Sequence, residues 1–360
     1  MVAARQRYAF EPDYAIPPGE TLREVMESLG MSQKELAKRT DLTVQSLNRI
    51  FKGAQPITYE TANRIELATG VPATMWNNLE ALYREQLAKI HERERLEADL
   101  PWLKEIPTAE LVQRGILPQI KDKVLLLREI LKFYGVSSVD AWQQIWEAPA
   151  VAARRSPCFE SKPGPASAWI RQGELQTREI DCQPFDRTRF KVALKHIRNL
   201  TREPAQVFEP ELKRLCAESG VAIALVKEMK KVPWSGATKW LTPHKAMILL
   251  CLRGKGEDKF WFSFFHEAGH VLNDSKKDLL INDGSQDDPR EKSANDFASE
   301  YLIPSKYDDV IRQIRSKPEI VRWADQLGIA PGIVAGRYQF LTKNWSYYKD
   351  LVRTLAWTEV

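Results

Sequence analysis

Apolar positions three and four apart recur in short bursts through the first quarter of the chain, which predicts a run of amphipathic helices. Thr21–Leu29 is the first burst and Gly30 ends it. Ser32-Gln-Lys-Glu35 reads as a capping box, with Ser32 as N-cap and Glu35 reaching back, and it opens a helix that turns Leu36 and Ala37 inward. After a turn at Asp41–Leu42, Thr43 caps a third helix from Val44 to Lys52, which stops at Gly53. Two short helices on either side of a tight turn give the geometry of a helix-turn-helix. Further helices are predicted near Thr58–Thr69 and Pro72–Tyr83.

The pattern then changes. ALYREQLAKIHERERLEADL puts Leu82, Leu87 and Ile90 along one side of a heavily charged helix, either a solvated connector or a dimer-forming helix. Prolines and glycine make Pro157–Pro165 a loop. Trp102, Trp142, Trp146 and Trp169 are expected in a core. Gly220–Glu228 and Lys245–Arg253 are apolar runs of buried-strand length, and WSGATKWL between them can supply another strand. GKGED then leads into a helix holding FFHEAGHVL. Domains are expected at 1–83, at a connector 84–100, at a mainly helical extension 101–219, and at 220–360.

Composition narrows the class. Apolar residues make up 43% of the chain, enough for sizeable cores. No apolar run approaches the roughly 20 residues needed to span a bilayer. The N-terminus has no signal-peptide pattern, so the expectation is a cytoplasmic protein without a membrane partner. Cys158, Cys182, Cys216 and Cys251 are scattered and form no CxxC pair, which suits reduced thiols. The net charge of +5 is too mild to announce a nucleic-acid binder. Two of only five histidines lie within five residues of each other.

Those two are His266 and His270. Four residues apart on a helix, their imidazoles project from one face and can share a Zn²⁺ ion. Glu267 follows the first and can serve as general base, the H-E-x-x-H arrangement of metallopeptidases. Phe260–Phe265 and Val271–Leu272 would lock the helix into a core. A catalytic zinc takes three protein ligands and leaves a position open, so a third is sought on EKSANDFASEYLIP. There Glu291 and Asn295 share a face, Glu291 to reach the metal and Asn295 to stand behind it. Glu300 competes, and Asp274 and the Asp287–Asp288 pair are weaker candidates, expected as solvated loop charges. His244 could assist the oxyanion, although a turn histidine is the plainer expectation. The strand before the helix could hold an extended substrate by backbone pairing.

At these residues the chain resembles the ImmA/IrrE family of zinc metallopeptidases, from about Gly220 to Pro304, through WSGATKWL, DKFWFSFFHEAGHVL and E-x-x-A-N-x-F-A-x-x-Y-L-I-P. The resemblance implies His266, His270 and Glu291 as zinc ligands and Glu267 as the catalytic glutamate. Asn273 stands where relatives often have a histidine. The first 85 residues resemble XRE-type helix-turn-helix proteins, HigA-like antitoxins in particular. That resemblance implies that Gln33 meets the DNA backbone and that Thr43, Gln45, Ser46 and Asn48 face the major groove. Arg49 and Lys52 would be phosphate or base contacts, and Arg5 and Arg7 a minor-groove arm or a disordered end. Residues 101–219 resemble the extension of longer proteins that combine the two domains, and WADQLGIAPGIVAGRYQF a packing tail of helix-turn-helix shape.

The expectation is a multidomain α+β protein: an all-α helix-turn-helix domain, then a mainly helical metallopeptidase domain with a small β-sheet. Its function would be that of a DNA-binding regulator with a fused zinc endopeptidase, recognising a double-stranded operator, as a homodimer or alone. It would cleave a repressor, a toxin or itself in a stress, prophage or toxin-antitoxin circuit. The alternative is an antitoxin-like regulator whose peptidase fold is an interaction or sensing module.

Overall fold

The computed structural model describes residues 13–147, 163–275, 280–282 and 288–357. Arg5, Arg7, Cys158 and Asp287 lie outside these described residues. Two compact units divide the chain, one of residues up to 101 together with 122–127, the other of the remainder.

The first unit is built from α1 (Pro18–Ser28), α2 (Gln33–Thr40), α3 (Val44–Phe51), α4 (Tyr59–Thr69) and α5 (Ala73–Asp99). Their starts are set by hydroxyl caps. Ser32, Thr43 and Thr58 accept from the backbone N–H of Glu35, Ser46 and Thr61 at 3.2, 3.0 and 3.2 Å. The reciprocal half of the capping box is replaced, since the Glu35 carboxylate pairs with Arg39 at 2.6 Å. Leu22, Leu36, Leu47, Ile65 and Trp76 are wholly buried at the centre. Gly19 lets α1 lie against α3, because a Cβ there would stand 2.2 Å from the Ile50 carbonyl oxygen. The charged connector is no separate element. Nothing between Tyr83 and Asp99 breaks a helix, so α5 continues as one rod of 27 residues.

Before its sheet the second unit holds α6 (Thr108–Gln113), the part of α7 (Lys123–Tyr134) from residue 128 onward, α8 (Val139–Trp142), α9 (Pro163–Arg178), α10 (Arg187–Asn199) and α11 (Ala205–Ala217). Pro163 and Pro165, expected in a loop, form the first turn of α9, where the missing N–H groups have no intrahelical partner to lose. Trp102, Trp142, Trp146 and Trp169 are buried as expected. The sheet contains β1 (Val221–Leu225), β2 (Gly236–Thr242), β3 (Lys245–Leu250) and β4 (Leu280–Asn282) in the order β1-β3-β2-β4. β1 runs parallel to β3, whereas β2 pairs antiparallel with both β3 and β4. β3 is therefore interior, with partners on both edges, and cannot be the strand that takes up a substrate backbone.

After β3 come α12 (Glu257–Asn273), α13 (Pro289–Leu302), α14 (Asp308–Arg312), α15 (Lys317–Leu327) and α16 (Pro331–Thr342). Ile248 and Leu250 join the core formed by Phe264 and Phe265 of α12. Leu249, pointing the other way, meets α9 at Gly173, where a Cβ would lie 2.9 Å from its side chain. Helices thus cover both faces of β3, which accounts for its unbroken apolar run. The segment after α16 returns to the start of α12. Arg353 meets the buried Glu257 through its Nε at 2.6 Å, and the Leu355 N–H donates to the Lys255 carbonyl at 2.7 Å.

Candidate functional site

Helix α12 is buried on almost every side, from Phe260 to Leu272, and so cannot rotate or slide. It fixes His266 and His270 one turn apart, with ring centroids 4.7 Å from each other. Beside it, α13 turns Glu291 inward from its first turn. The His266 and His270 Nε2 atoms are 3.0 Å apart. Glu291 offers Oε2 at 3.1 Å to the first and Oε1 at 3.1 Å to the second. Three potential ligand atoms thus close on one point, and all three side chains are buried.

The outer ring atoms settle what the inner ones do. Asp274 Oδ2 lies 2.6 Å from His270 Nδ1, and Asn295 Oδ1 lies 3.0 Å from His266 Nδ1. Each oxygen accepts the Nδ1–H and leaves the Nε2 lone pair aimed at the common centre. Lone pairs and a carboxylate facing one another repel unless a cation lies among them. Ligands of a tetrahedral zinc at ordinary bond lengths stand about 3.3 Å apart, close to the separations here. Among the described residues Glu291 Oε2, although 3.1 Å from His266 Nε2, is buried without a well-formed hydrogen bond, an acceptor still wanting a positive partner. The residues therefore fit a small divalent cation.

Proton affinities say the same. Burial would depress His270, but hydrogen bonding and charge from Glu291, with the charges of Glu267 and Asp274 close by, hold it up at about 9. Burial raises Glu291, yet the two histidines outweigh it and hold its carboxyl below the ordinary value. The cluster favours positive charge at its centre.

Glu267 is fully buried next to the ligands. Burial pushes its carboxyl up to about 6, against the pull of His266 and His270. The Thr238 hydroxyl from β2 donates to Glu267 Oε2 at 2.7 Å, while Oε1 has no hydrogen-bond partner among the described residues. Room for the carboxylate exists because β2 opens on Gly236: a Cβ there would stand 2.5 Å from Oε1.

The structure thus brings together His266, Glu267, His270, Glu291 and Asn295 as the sequence expected. It corrects Asp274, which is no solvated loop charge: one turn beyond His270, it reaches back to that ring. Asp288 caps α13 and pairs with Arg290 at 2.9 Å. Glu300 is exposed at the far end of α13, where it accepts from the Ser305 N–H at 2.9 Å. His244 sits exposed in the β2–β3 turn, at the other end of β2 from Gly236. Thr238 and Gly236 were missed. Their only trace in the sequence was WSGATKWL, a strand carrying a glycine and a hydroxyl.

In the first unit, Gln33 opens α2 and the other six named residues occupy α3 and its two ends. Gln33 Nε2 donates to Asn48 Oδ1 at 2.8 Å and to the Val44 carbonyl at 3.2 Å. Thr43 caps α3, and Ser46 is held by Gln55 Nε2 at 2.8 Å, a support the sequence did not reveal. Thr43, Gln45, Asn48, Arg49 and Lys52 are exposed, and neither cation has an ion-pair partner among the described residues.

Comparison with known proteins follows the same division. Residues 22–76 match the helix-turn-helix family, and residues 224–337 match the IrrE N-terminal-like domain. Virulence-associated protein I of Dichelobacter nodosus is 34% identical over 76 residues, 21% of this chain and 70% of that protein. The chain belongs to the XRE-type helix-turn-helix family and carries an IrrE-like peptidase domain. The IrrE-like domain is metallopeptidase-like, and its matched span contains the whole His-His-Glu cluster with Thr238 and Glu267. Such a domain calls for a metal ion and a protein substrate, and the helix-turn-helix supports DNA binding. No helix of the described residues is long and apolar enough to cross a membrane.

Proposed function

We propose that the chain is a cytoplasmic transcriptional regulator that binds an operator through residues 1–83 and cleaves a regulatory protein, or itself, through residues 220–360. Residues 84–100 would connect the two parts and residues 101–219 extend the peptidase. His266, His270 and Glu291 would hold a zinc ion, with Asn295 and Asp274 fixing the two rings. Zinc, when bound there, supplies Lewis acidity toward water and a peptide carbonyl. Glu267 takes a proton from the attacking water on Oε1 and delivers it to the leaving amine nitrogen. Thr238 keeps Oε2 anchored, so that only one carboxylate oxygen is offered. A carboxyl raised to about 6 is a better proton shuttle near neutrality than an ordinary glutamate.

The observation that carries this is the unpartnered, buried Glu267 Oε1 beside three converging ligands. A purely structural metal site needs no such group. In the first unit, α3 would enter the major groove with Thr43, Gln45, Ser46 and Asn48, and Gln33, Arg49 and Lys52 would contact the backbone or base edges. The circuit would be one of stress, prophage or toxin-antitoxin control.

The test is metal analysis and proteolysis by the purified full chain, wild type against Glu267→Gln, with candidate repressors, a neighbouring toxin and the chain itself as substrates. Both proteins should hold about one zinc per chain, and only the wild type should cleave. Cleavage by both would overturn the role of Glu267. Toxin neutralisation by both without cleavage would point instead to an antitoxin-like interaction module.

A further inference from the structure

Residues 187–202 carry six cations, Arg187, Arg189, Lys191, Lys195, Arg198 and Arg202, and no carboxylate. The formal net charge of the chain is +5, so without this segment it would be −1. The segment precedes the span matched by the IrrE-like domain, 224–337, and contributes nothing to the metal cluster.

Its cations are of two kinds. Arg198 is structural: it donates to the carbonyls of Tyr301, Leu327 and Leu302 at 2.9, 2.7 and 2.8 Å. Arg189 Nη1 donates to the Glu218 carbonyl at 2.8 Å, and Arg202 pairs with Asp325. Arg187, Lys191 and Lys195 differ. They stand four apart along an exposed flank of α10, beside the buried stripe of Phe190, Leu194 and Ile197, and have no hydrogen bond or ion pair among the described residues. Four residues rise about 6 Å along a helix, so the three form one straight row.

No carboxylate within α10 balances the row. Several surface cations on this chain's helices pair with carboxylates one turn away, as Lys89 with Glu85 and Lys213 with Glu209 at 2.7 and 2.6 Å, and the row on α10 has no carboxylate at such a spacing. The N-cap of α10 is Asp186, whose carboxylate accepts from the Arg189 N–H at 2.7 Å, but the first turn itself contains no acidic residue, although Arg187 there opposes the helix dipole. A row of like charges without a partner among the described residues is open to an external one. A row of long, unpaired cations without intervening carboxylates complements regularly spaced phosphates.

We propose that the exposed face of α10 is a second nucleic-acid contact, one that grips the phosphate backbone of double-stranded DNA without reading its sequence. It rests on the DNA-binding function proposed above only for the choice of polyanion. The peptidase part would thereby add salt-sensitive affinity to whatever the helix-turn-helix recognises.

The test is the affinity of the full chain for a duplex of arbitrary sequence, measured by fluorescence anisotropy across a salt series. Arg187→Gln, Lys191→Gln and Lys195→Gln are combined in one variant, whose side chains are exposed and whose fold is checked by its melting temperature. The slope of log affinity against log salt should fall in magnitude by about 2.7, three contacts at about 0.9 each. A charge-matched control, Lys89→Gln with Lys213→Gln and Lys317→Gln, should leave the slope near that of the wild type. An unchanged slope in the α10 variant overturns the proposal, and accompanying loss of binding to poly-glutamate would assign the face to an acidic protein instead. Gln45→Ala with Arg49→Ala tests α3 separately. If that variant binds normally while the α10 variant does not, the helix-turn-helix assignment fails and the α10 contact stands.

Discussion

The Thr238 hydroxyl lies 2.7 Å from Glu267 Oε2 and 3.2 Å from the Glu267 carbonyl oxygen, joining β2 to the centre of α12. The strand thereby orients a carboxylate that is neither one of the three converging ligands nor a support of their rings. Gly236, two residues earlier on the same face, leaves room for its other oxygen.

Two substitutions on β2 should therefore impair proteolysis and spare the metal. Thr238→Val removes a hydrogen bond to a charged group and should lower kcat about tenfold. Gly236→Ala forces Glu267 aside and should lower it further. Zinc content by mass spectrometry should stay near one per chain in both. Loss of zinc alongside loss of activity would show that β2 supports the whole cluster and not Glu267 alone.

Glu267 should weaken the metal-free fold. Its folded carboxyl titrates near 6 against an ordinary 4.5, so ionisation opposes folding at any pH above that window. The cost is about 2 kcal/mol once the group is fully ionised. Glu267→Gln should therefore stabilise the chelator-treated protein at pH 8, and the gain should fade as pH falls from 6 toward 4.5. Urea midpoints across that range read it directly. A variant less stable than wild type at pH 8 would contradict the cost assigned to burial.

Asp274 and Asn295 should tune metal affinity without touching the ion. Asp274→Ala and Asn295→Ala each release an Nδ1–H and let a ring turn, which should weaken zinc binding about 10–100-fold in competition with a chromogenic chelator. Asp288→Ala, which removes only the cap of α13, should lose far less. Equal losses in all three would mean that Asp274 acts through the local fold and not through His270.

Arg353 and Glu257 form a clasp that ties the C-terminal segment to the start of α12. Glu257 is wholly buried, so Arg353→Met leaves a charge without its partner and should cost about 3 kcal/mol. Adding Glu257→Gln should recover most of the loss, and urea unfolding of the three variants measures both steps. Without that recovery, the contribution of Arg353 would lie in its hydrogen bonds to the Thr201 and Glu203 carbonyls.

What the sequence determined was local. Hydroxyl caps at Ser32 and Thr43 act within one turn, so two helix starts were legible to the residue. The four-residue spacing of His266 and His270 put both rings on one face of any helix that contains them, and Glu291 with Asn295 repeated the argument on a second helix. The unbroken apolar runs of β1 and β3 announced strands covered on both faces. The tertiary structure decided whatever joins distant segments. Thr238 meets Glu267 across 29 residues and Arg353 meets Glu257 across 96. Such pairs leave no period in the sequence, because they depend on strand order and on which helix covers which face. Asp274 shows the boundary between the two. Its spacing from His270 was visible, but only the last turn of α12, carried through to Asn273, points its carboxylate back at the ring.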